Sequence, residues 1–346
     1  MKRQTYLLIL MLFVTLAASG QKKFSVYGIG FYNLENLFDT CHDEGKNDYE
    51  YLPLGTNKWT ELKYSNKLHN MARALADLGT EKLSVGCAVI GVSEVENANA
   101  LTDLINQPEL KARGFQFAHV EGPDRRGIDC AMLYNPSLFK LLNVKLVPYV
   151  PELERDSAFR TRGFLTCTGM LAKEKVAIIV CHWPSRFSGS YYREVAGRQV
   201  KAVKDSLMRL DPKIKVMVMG DMNDDPMNNS MAKELSARPN IDDVGPNDMF
   251  NPWWNILQKG TGTLMYNGSW NLFDQIVLSP NMLNYNMEKD YSTLKYWTCA
   301  IQNFPYLLQT EGRYKGAPKR THAAGVWLNG FSDHLPVVVY LMKERK

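Results

Sequence analysis

Short runs rich in Val, Ile, Leu and aromatic residues recur along this chain, and most of them stop abruptly at acidic, amide or histidine side chains. Such residues suit a pleated, half-buried surface. The pattern predicts strands over Phe24–Tyr32, Cys87–Val92, Phe115–Val120, Asp129–Tyr134, Leu142–Pro148, Phe164–Leu171, Lys175–His182, Lys215–Gly220, Asp274–Leu278 and Pro336–Met342. Helical spacing lies between some of them. Leu62–Leu78 places Leu68, Met71, Leu75 and Leu78 on one face; Ala98–Asn106, Arg193–Leu210 and Met231–Ser236 follow. Strands in the majority, with helices in the connections, predict an α+β sandwich or layered α/β fold and argue against a strictly alternating parallel sheet. The 346 residues would suit about two domains by length alone. No repeat or Gly/Pro/Ser linker divides them, so one domain over residues 21–346 is expected.

Residues 1–20 read as an address. Lys2 and Arg3 precede an apolar run from Tyr6 to Leu16, and Ala17, Ala18, Ser19 and Gly20 are small. This is the layout of a cleaved secretory signal peptide, and the run is short of the ~20 apolar residues a membrane span needs. An exported protein, periplasmic or extracellular and without a stable membrane anchor, is expected. Without Lys2 and Arg3 the net charge falls from +5 to +3. That is far from the basic excess of a dedicated nucleic-acid-coating domain, so an anionic partner must be met by a local patch or a metal. Of six cysteines, Cys87, Cys130, Cys167 and Cys181 sit inside apolar runs. They read as buried free thiols, and no C-x-x-C or Cys/His cluster suggests zinc.

The strand ends carry the chemistry. YGIGFYNLEN ends on Asn33 and Glu35, AVIGVSEVEN on Glu94 and Glu96, and AIIVCHWPSR on His182 and Ser185. KVMVMGDMNDDP ends on Asp221, Asn223 and Asp224; WNLFDQIVLS carries Asp274; GFSDHLPVVVYL places Asp333 and His334 before a strand. Ligands gather at strand ends on one side of layered folds. Asp, Glu and Asn offer hard oxygens suited to Mg²⁺, Mn²⁺ or Ca²⁺. Two of only six histidines fall in these motifs, which fits a metal Lewis acid beside histidine acid/base catalysis. The P-loop, dinucleotide and G-x-S-x-G signatures are absent. A magnesium ion bound by a few carboxylates and by substrate phosphate oxygens is a usual arrangement, and phosphoester hydrolysis follows from it as the reaction class.

These five motifs, FYNLENLFD, IGVSEVEN, CHWPSR, GDMNDDP and SDHLPV, stand in the order seen in the endonuclease/exonuclease/phosphatase superfamily, and the chain resembles it from about Phe24 to Tyr340. The opening motif resembles secreted bacterial nucleases of that group. The resemblance implies a four-layer αββα sandwich of two mixed β-sheets flanked by helices. It also implies roles. Asn33 resembles the Asn that bonds the site and the phosphate. Glu94 resembles the principal metal-binding Glu, with Glu96 as the competing choice. Asp221 positions or deprotonates the attacking water, and Asn223 contacts the phosphate. Asp274 orients His334. Asp333 is a metal ligand, directly or through water, and His334 a phosphate contact or acid/base. His182 matches the His of the deoxyribonuclease and sphingomyelinase branches, where a carboxylate on a neighbouring strand partners it; Asp129 is the candidate here. His182–Asp129 and His334–Asp274 are thus expected as two charged pairs.

Arginines give bidentate phosphate contacts. Arg186, directly after CHWPS, and Arg162, in FRTRGFL, are the substrate-binding candidates; Arg193 and the rest read as surface charge. Glu35 and Asp39 read as a solvated helix start, and His119 as structural. Phe250, Trp253 and Trp254 in MFNPWWN read as loop residues that stack on bases, sit in a membrane interface or pack against the sandwich edge. The expectation is a Mg²⁺-dependent phosphodiesterase, monomeric, acting on nucleic acid. The alternative is a phosphatase or phosphodiesterase on inositol phosphates, sphingomyelin-type lipids or other small phosphoesters.

Overall fold

The computed structural model describes residues 22–323 and 325–345; the expected signal peptide lies outside the described residues. The strands are β1 (Phe24–Leu37), β2 (Cys87–Val95), β3 (Gln116–His119), β4 (Asp129–Tyr134), β5 (Phe139–Val147), β6 (Phe164–Leu171), β7 (Glu174–His182), β8 (Lys215–Asp221), β9 (Ala237–Arg238), β10 (Met249–Phe250), β11 (Leu264–Tyr266), β12 (Ser269–Asn271), β13 (Asp274–Leu278), β14 (Lys295–Ile301), β15 (His322–Ala323), β16 (Val326–Trp327) and β17 (Val337–Glu344). Three helices matter for the layers: α1 (Glu61–Asp77), α2 (Ala98–Ile105) and α3 (Ser190–Leu210). One sheet runs β14-β17-β1-β2-β4-β3 and the other β5-β6-β7-β8-β13-β10-β9. Both are mixed: β1 and β2 are parallel, as are β7 and β8, and their other neighbours are antiparallel.

Three apolar layers hold four structural layers together. Ile29, Phe31, Val89 and Met132 of the first sheet face Ile178, Val180, Met217, Met219 and Ile276 of the second. On the first sheet's outer face Ile90, Val92 and Leu133 meet Leu68, Met71 and Leu75 of α1 and Leu101 and Leu104 of α2. On the second sheet's outer face Ile179, Val216 and Val218 meet Val195, Ala196 and Val200 of α3. The alternation that sends Ile178 inward and Ile179 outward is the period of two of a strand covered on both sides. The sheets approach so closely at Gly91 that a Cβ there would lie 2.5 Å from Met219 Sδ.

This is the expected αββα sandwich, with local differences. β14 was not foreseen; it is an edge strand of half-exposed residues, and its Lys and Thr dilute the apolar signal. Ser230–Glu234 forms a single π-turn in place of the expected helix over Met231–Ser236. Phe250 and Trp253 are core residues and not a loop platform: Trp253 is fully buried and donates Nε1–H to Ile276 O. Among the described residues no helix is long and apolar enough to cross a membrane.

Candidate active site

The topology brings the polar strand ends together. β7 and β8 run parallel with His182 level with Asp221, and β13 lies antiparallel with Asp274 level with Asp221. In the other sheet β1 and β2 end side by side at Asn33 and Ser93, and β17 begins where β1 ends. The motif residues therefore gather at one end of the sandwich. Asn33 Nδ2 donates to Asp221 Oδ2 at 3.0 Å and to Glu94 Oε1 at 3.3 Å, so one amide from the first sheet ties carboxylates of both sheets. Ser332 Oγ donates to Asn33 O and accepts from His334 N, which fastens the SDH loop to β1.

Irregular backbone aims these groups. The register of β1 against β2 shifts between Asn33 and Leu37, and that of β2 against β4 between Ser93 and Val95. Glu35, Asn36 and Glu94 take left-handed φ angles of 47°, 57° and 59°. Non-glycine residues there cost of order 1–3 kcal/mol each and cluster at functional sites. The bulges turn Glu94 inward, where its Oε2 accepts from Asn36 N at 3.0 Å. Asn223 is also left-handed, and its N–H donates to Asp221 Oδ1 at 2.9 Å, a local Asx turn that fixes the carboxylate.

Glu94, His182 and Asp221 each offer a ligand atom, and these atoms lie within 4.8 Å of one another. His182 Nε2 is 3.7 Å from Glu94 Oε1 and 3.6 Å from Asp221 Oδ2. Burial pushes the Asp221 carboxyl up to about 7 against the pull of His334. A buried carboxylate with a second, partly exposed one this close resists negative charge, and a divalent cation removes that penalty. Hard oxygens with one imidazole suit such an ion. The two histidines differ. Burial lowers His182 well below its usual value, reinforced by Arg162 and Arg126, and this keeps it a neutral donor. Burial also opposes charge on His334, but Asp274, 2.7 Å from Nδ1, together with Asp221 outweighs it and holds His334 well above its usual value. His334 Nε2 then faces Asp221 Oδ2 at 3.8 Å and Asp333 Oδ1 at 3.9 Å.

The His334–Asp274 pair is formed as expected. The His182–Asp129 pair is not. Asp129 lies at the end of β4, where His119 on adjacent β3 reaches it at 2.9 Å and Gly122 N donates to its other oxygen. His182 Nδ1 is buried with no partner. The arginines are also committed internally. Arg162 bonds Asp124 and Trp183 O. Arg186 donates to Asn223 O, Asn271 Oδ1 and Asp225 Oδ2, joining three loops. The Asn223 amide donates to Trp183 O, which pins the loop after His182. Glu96 lies outside the three-residue group, its Oε2 accepting from Asp39 N, so Glu94 is the Glu that faces the site.

Sequence reasoning missed three positions. Arg193 is buried and pairs with Asp224 at 2.8 Å, while its Nη1 donates to the carbonyls of Ser185 and Gly189. Glu35 is buried and not a solvated helix start. It accepts from Arg320 Nε at 3.1 Å and from Thr321 N. Lys67 of α1, fully buried, donates to Thr321 Oγ1 and Phe331 O beneath the same loop. Glu35 had a signal as a polar end of the first strand run, and Arg193 as a residue of the helix that follows CHWPSR; Lys67 had none.

Solved structures share this fold at low sequence identity. D. rerio TDP2 complexed with single strand DNA product aligns with a TM-score of 0.52 and 14% identity, covering 92% of this chain and 99% of that one. The mannosyl-6-phosphatase Bt3783 of Bacteroides thetaiotaomicron aligns with a TM-score of 0.54 and 14% identity over 91% and 99%. The human Nocturnin catalytic domain with bound sulfate aligns with a TM-score of 0.50 and 15% identity over 94% and 98%. No curated protein matches the sequence significantly. The sequence model of the endonuclease/exonuclease/phosphatase family matches residues 28–343. With motifs, sandwich and strand-end site in agreement, the chain belongs to this family of phosphoester-hydrolysing enzymes.

Proposed function

We propose that this protein is an exported, Mg²⁺-dependent phosphodiesterase that cleaves nucleic-acid strands. The observation that carries the reaction class is the convergence of Glu94, His182, Asp221 and His334 on one point. Glu94, His182 and Asp221 are the group that would hold the ion, with Asp333 Oδ1 as a further oxygen at its edge. When bound, the ion supplies Lewis-acid polarisation of a phosphate oxygen. Asn33 keeps Glu94 and Asp221 in fixed positions, and Asp221 orients the attacking water. His334, kept charged by Asp274, neutralises a phosphate oxygen and delivers its Nε2 proton to the leaving oxygen. Fixed charges in a buried pocket supply most of the acceleration in such transfers. Likeness to a structure holding a single-stranded DNA product supports the nucleic-acid reading.

A second reading, a small phosphoester, is favoured by one observation. Arg162 and Arg186, which would grip a polyanion, bond other parts of the protein. A panel of supercoiled plasmid, single-stranded oligonucleotide, bis-p-nitrophenyl phosphate and phosphomonoesters separates the two. Residues 21–346 with Mg²⁺, with Asp221→Ala and EDTA as controls, are expected to nick plasmid or shorten the oligonucleotide. Hydrolysis of small esters with both nucleic acids intact would replace the first reading by the second.

A further inference from the structure

The most heavily paired feature beside the site is a chain of charges that enters from the far side of SDH. It begins at Lys67, in the middle of α1, whose ammonium reaches Thr321 Oγ1 and Phe331 O. Thr321 N donates to Glu35 Oε2 at 2.6 Å. Arg320, the neighbour of Thr321, donates Nε to Glu35 Oε1 at 3.1 Å and Nη2 to Asp333 Oδ2 at 3.0 Å. One guanidinium thus bridges two carboxylates, one on the bulge of β1 and the other next to His334. The Arg320 side chain is 44% exposed, but the groups it is tied to lie deeper. Glu35, Lys67 and Thr321 are buried, and Asn70 of α1 donates to Gly330 O to hold the same loop. Glu35 is further constrained by its left-handed backbone.

Two carboxylates brought this close in a half-buried cleft would ordinarily invite a cation, or one would take up a proton. Here the protein supplies positive charge itself, from Arg320 between the two carboxylates and from buried Lys67 behind Glu35. Among the described residues only Glu94, His182 and Asp221 bring three ligand atoms together. Asp333 keeps one free oxygen, Oδ1, and the bridge turns it towards His334 Nε2 at 3.9 Å. We propose that Arg320 is a positioning residue that stands where a second cation would sit: it neutralises Glu35 and Asp333, fixes Asp333 beside His334, and limits the site to one divalent ion at Glu94, His182 and Asp221. This rests on the metal-dependent reading above. A planar fork with two bonded edges suits the task; a lysine offers one charged point in place of two aligned donors.

The test counts ions and does not depend on turnover. Mn²⁺ binding to residues 21–346 is titrated by electron paramagnetic resonance and by calorimetry. The wild-type protein is expected to take one Mn²⁺. Arg320→Gln, which leaves Glu35 and Asp333 unpaired, is expected to take two. Glu35→Gln combined with Arg320→Gln is expected to return to one. In parallel, kcat on bis-p-nitrophenyl phosphate should fall about 10- to 100-fold in Arg320→Gln, as for other residues that orient ligands. KM should stay within about twofold, and Arg320→Lys should restore part of kcat. A wild-type count of two overturns the proposal without any variant, so it stays refutable even if Arg320→Gln does not fold. A count of one in folded Arg320→Gln overturns it as well, whatever its activity. A wild-type count of zero sinks the metal-dependent reading itself, and this inference with it.

Discussion

Asp274→Asn tests the charge logic of the site directly. Asp274 is fully buried, and Oδ2 lies 2.7 Å from His334 Nδ1. Asparagine keeps the shape and removes the charge. An opposite charge about 4 Å away at an effective dielectric near 20 is worth about 4 kcal/mol, and removing it takes away the largest influence that holds His334 above its usual value. With Asp274 neutral, burial is the larger influence, and His334 loses the proton it is proposed to donate. The sign follows: the raised pKa of His334 sets the alkaline limb of the pH–rate profile, and the substitution moves that limb to lower pH. At pH 7.5 kcat/KM should fall about 10²- to 10³-fold, within the range of lost general-acid catalysis. The deficit should shrink by about tenfold for each pH unit below that, until His334 is protonated again. The assay is kcat/KM on bis-p-nitrophenyl phosphate from pH 5 to 9.5 at saturating Mg²⁺. A variant within threefold of wild type at pH 7.5, with its alkaline limb unmoved, would falsify the assignment of His334 as the charged acid. The same linkage governs stability. A raised histidine pKa stabilises the fold fully below the unfolded value of about 6.5 and fades as pH rises through the folded value. The Tm gap between wild type and Asp274→Asn should accordingly be wider at pH 6 than at high pH.

Three further outcomes follow from the observed pairings. Asp129→Asn breaks the pair with His119 and not a catalytic one, so kcat should stay within about threefold of wild type while urea denaturation shows a loss of about 1–3 kcal/mol. Arg193→Met leaves buried Asp224 with only the longer contact to Arg186 Nε at 3.7 Å and frees the Ser185 and Gly189 carbonyls; unfolding stability should drop by about 3 kcal/mol, read from the same denaturation curves. Removing divalent metal with EDTA should abolish hydrolysis and lower the melting temperature, because an ion at about 100 times its Kd adds about 2.7 kcal/mol to the folded state; an unchanged melting curve with or without Mg²⁺ would argue against a site at Glu94, His182 and Asp221.

The residues that would do chemistry were legible because their types are unusual for their positions. An apolar strand that ends in Asp-Met-Asn or Ser-Glu-Val-Glu breaks its own pattern, and repetition of that break marked one end of the sandwich before any contact was known. The family resemblance implied the His334–Asp274 pair, and the fold brings it together: Asp274 opens β13, and His334 lies in the loop just before β17. Continuous apolar runs also gave β4, β6 and β13 to the residue.

Partners across strands and loops were a different matter. Asp129 turns to His119 and not to His182 because β3 is the hydrogen-bonded neighbour of β4, a fact of sheet order that no local spacing encodes. Glu94 prevails over Glu96 because a bulge places Glu94 in the left-handed region and turns it inward. Arg193, Lys67 and Arg320 look like ordinary surface charges in sequence, since lysine and arginine are exposed in most contexts. Only the packed loops show that Arg193 and Lys67 are buried and that Arg320 bridges two carboxylates. The chain by itself determined a strand-dominated layered class and the donor chemistry, because apolar runs and residue type are local properties; the four-layer arrangement came from the family resemblance. The tertiary structure decided which charge answers which, because an ion pair depends on distances between segments far apart in sequence.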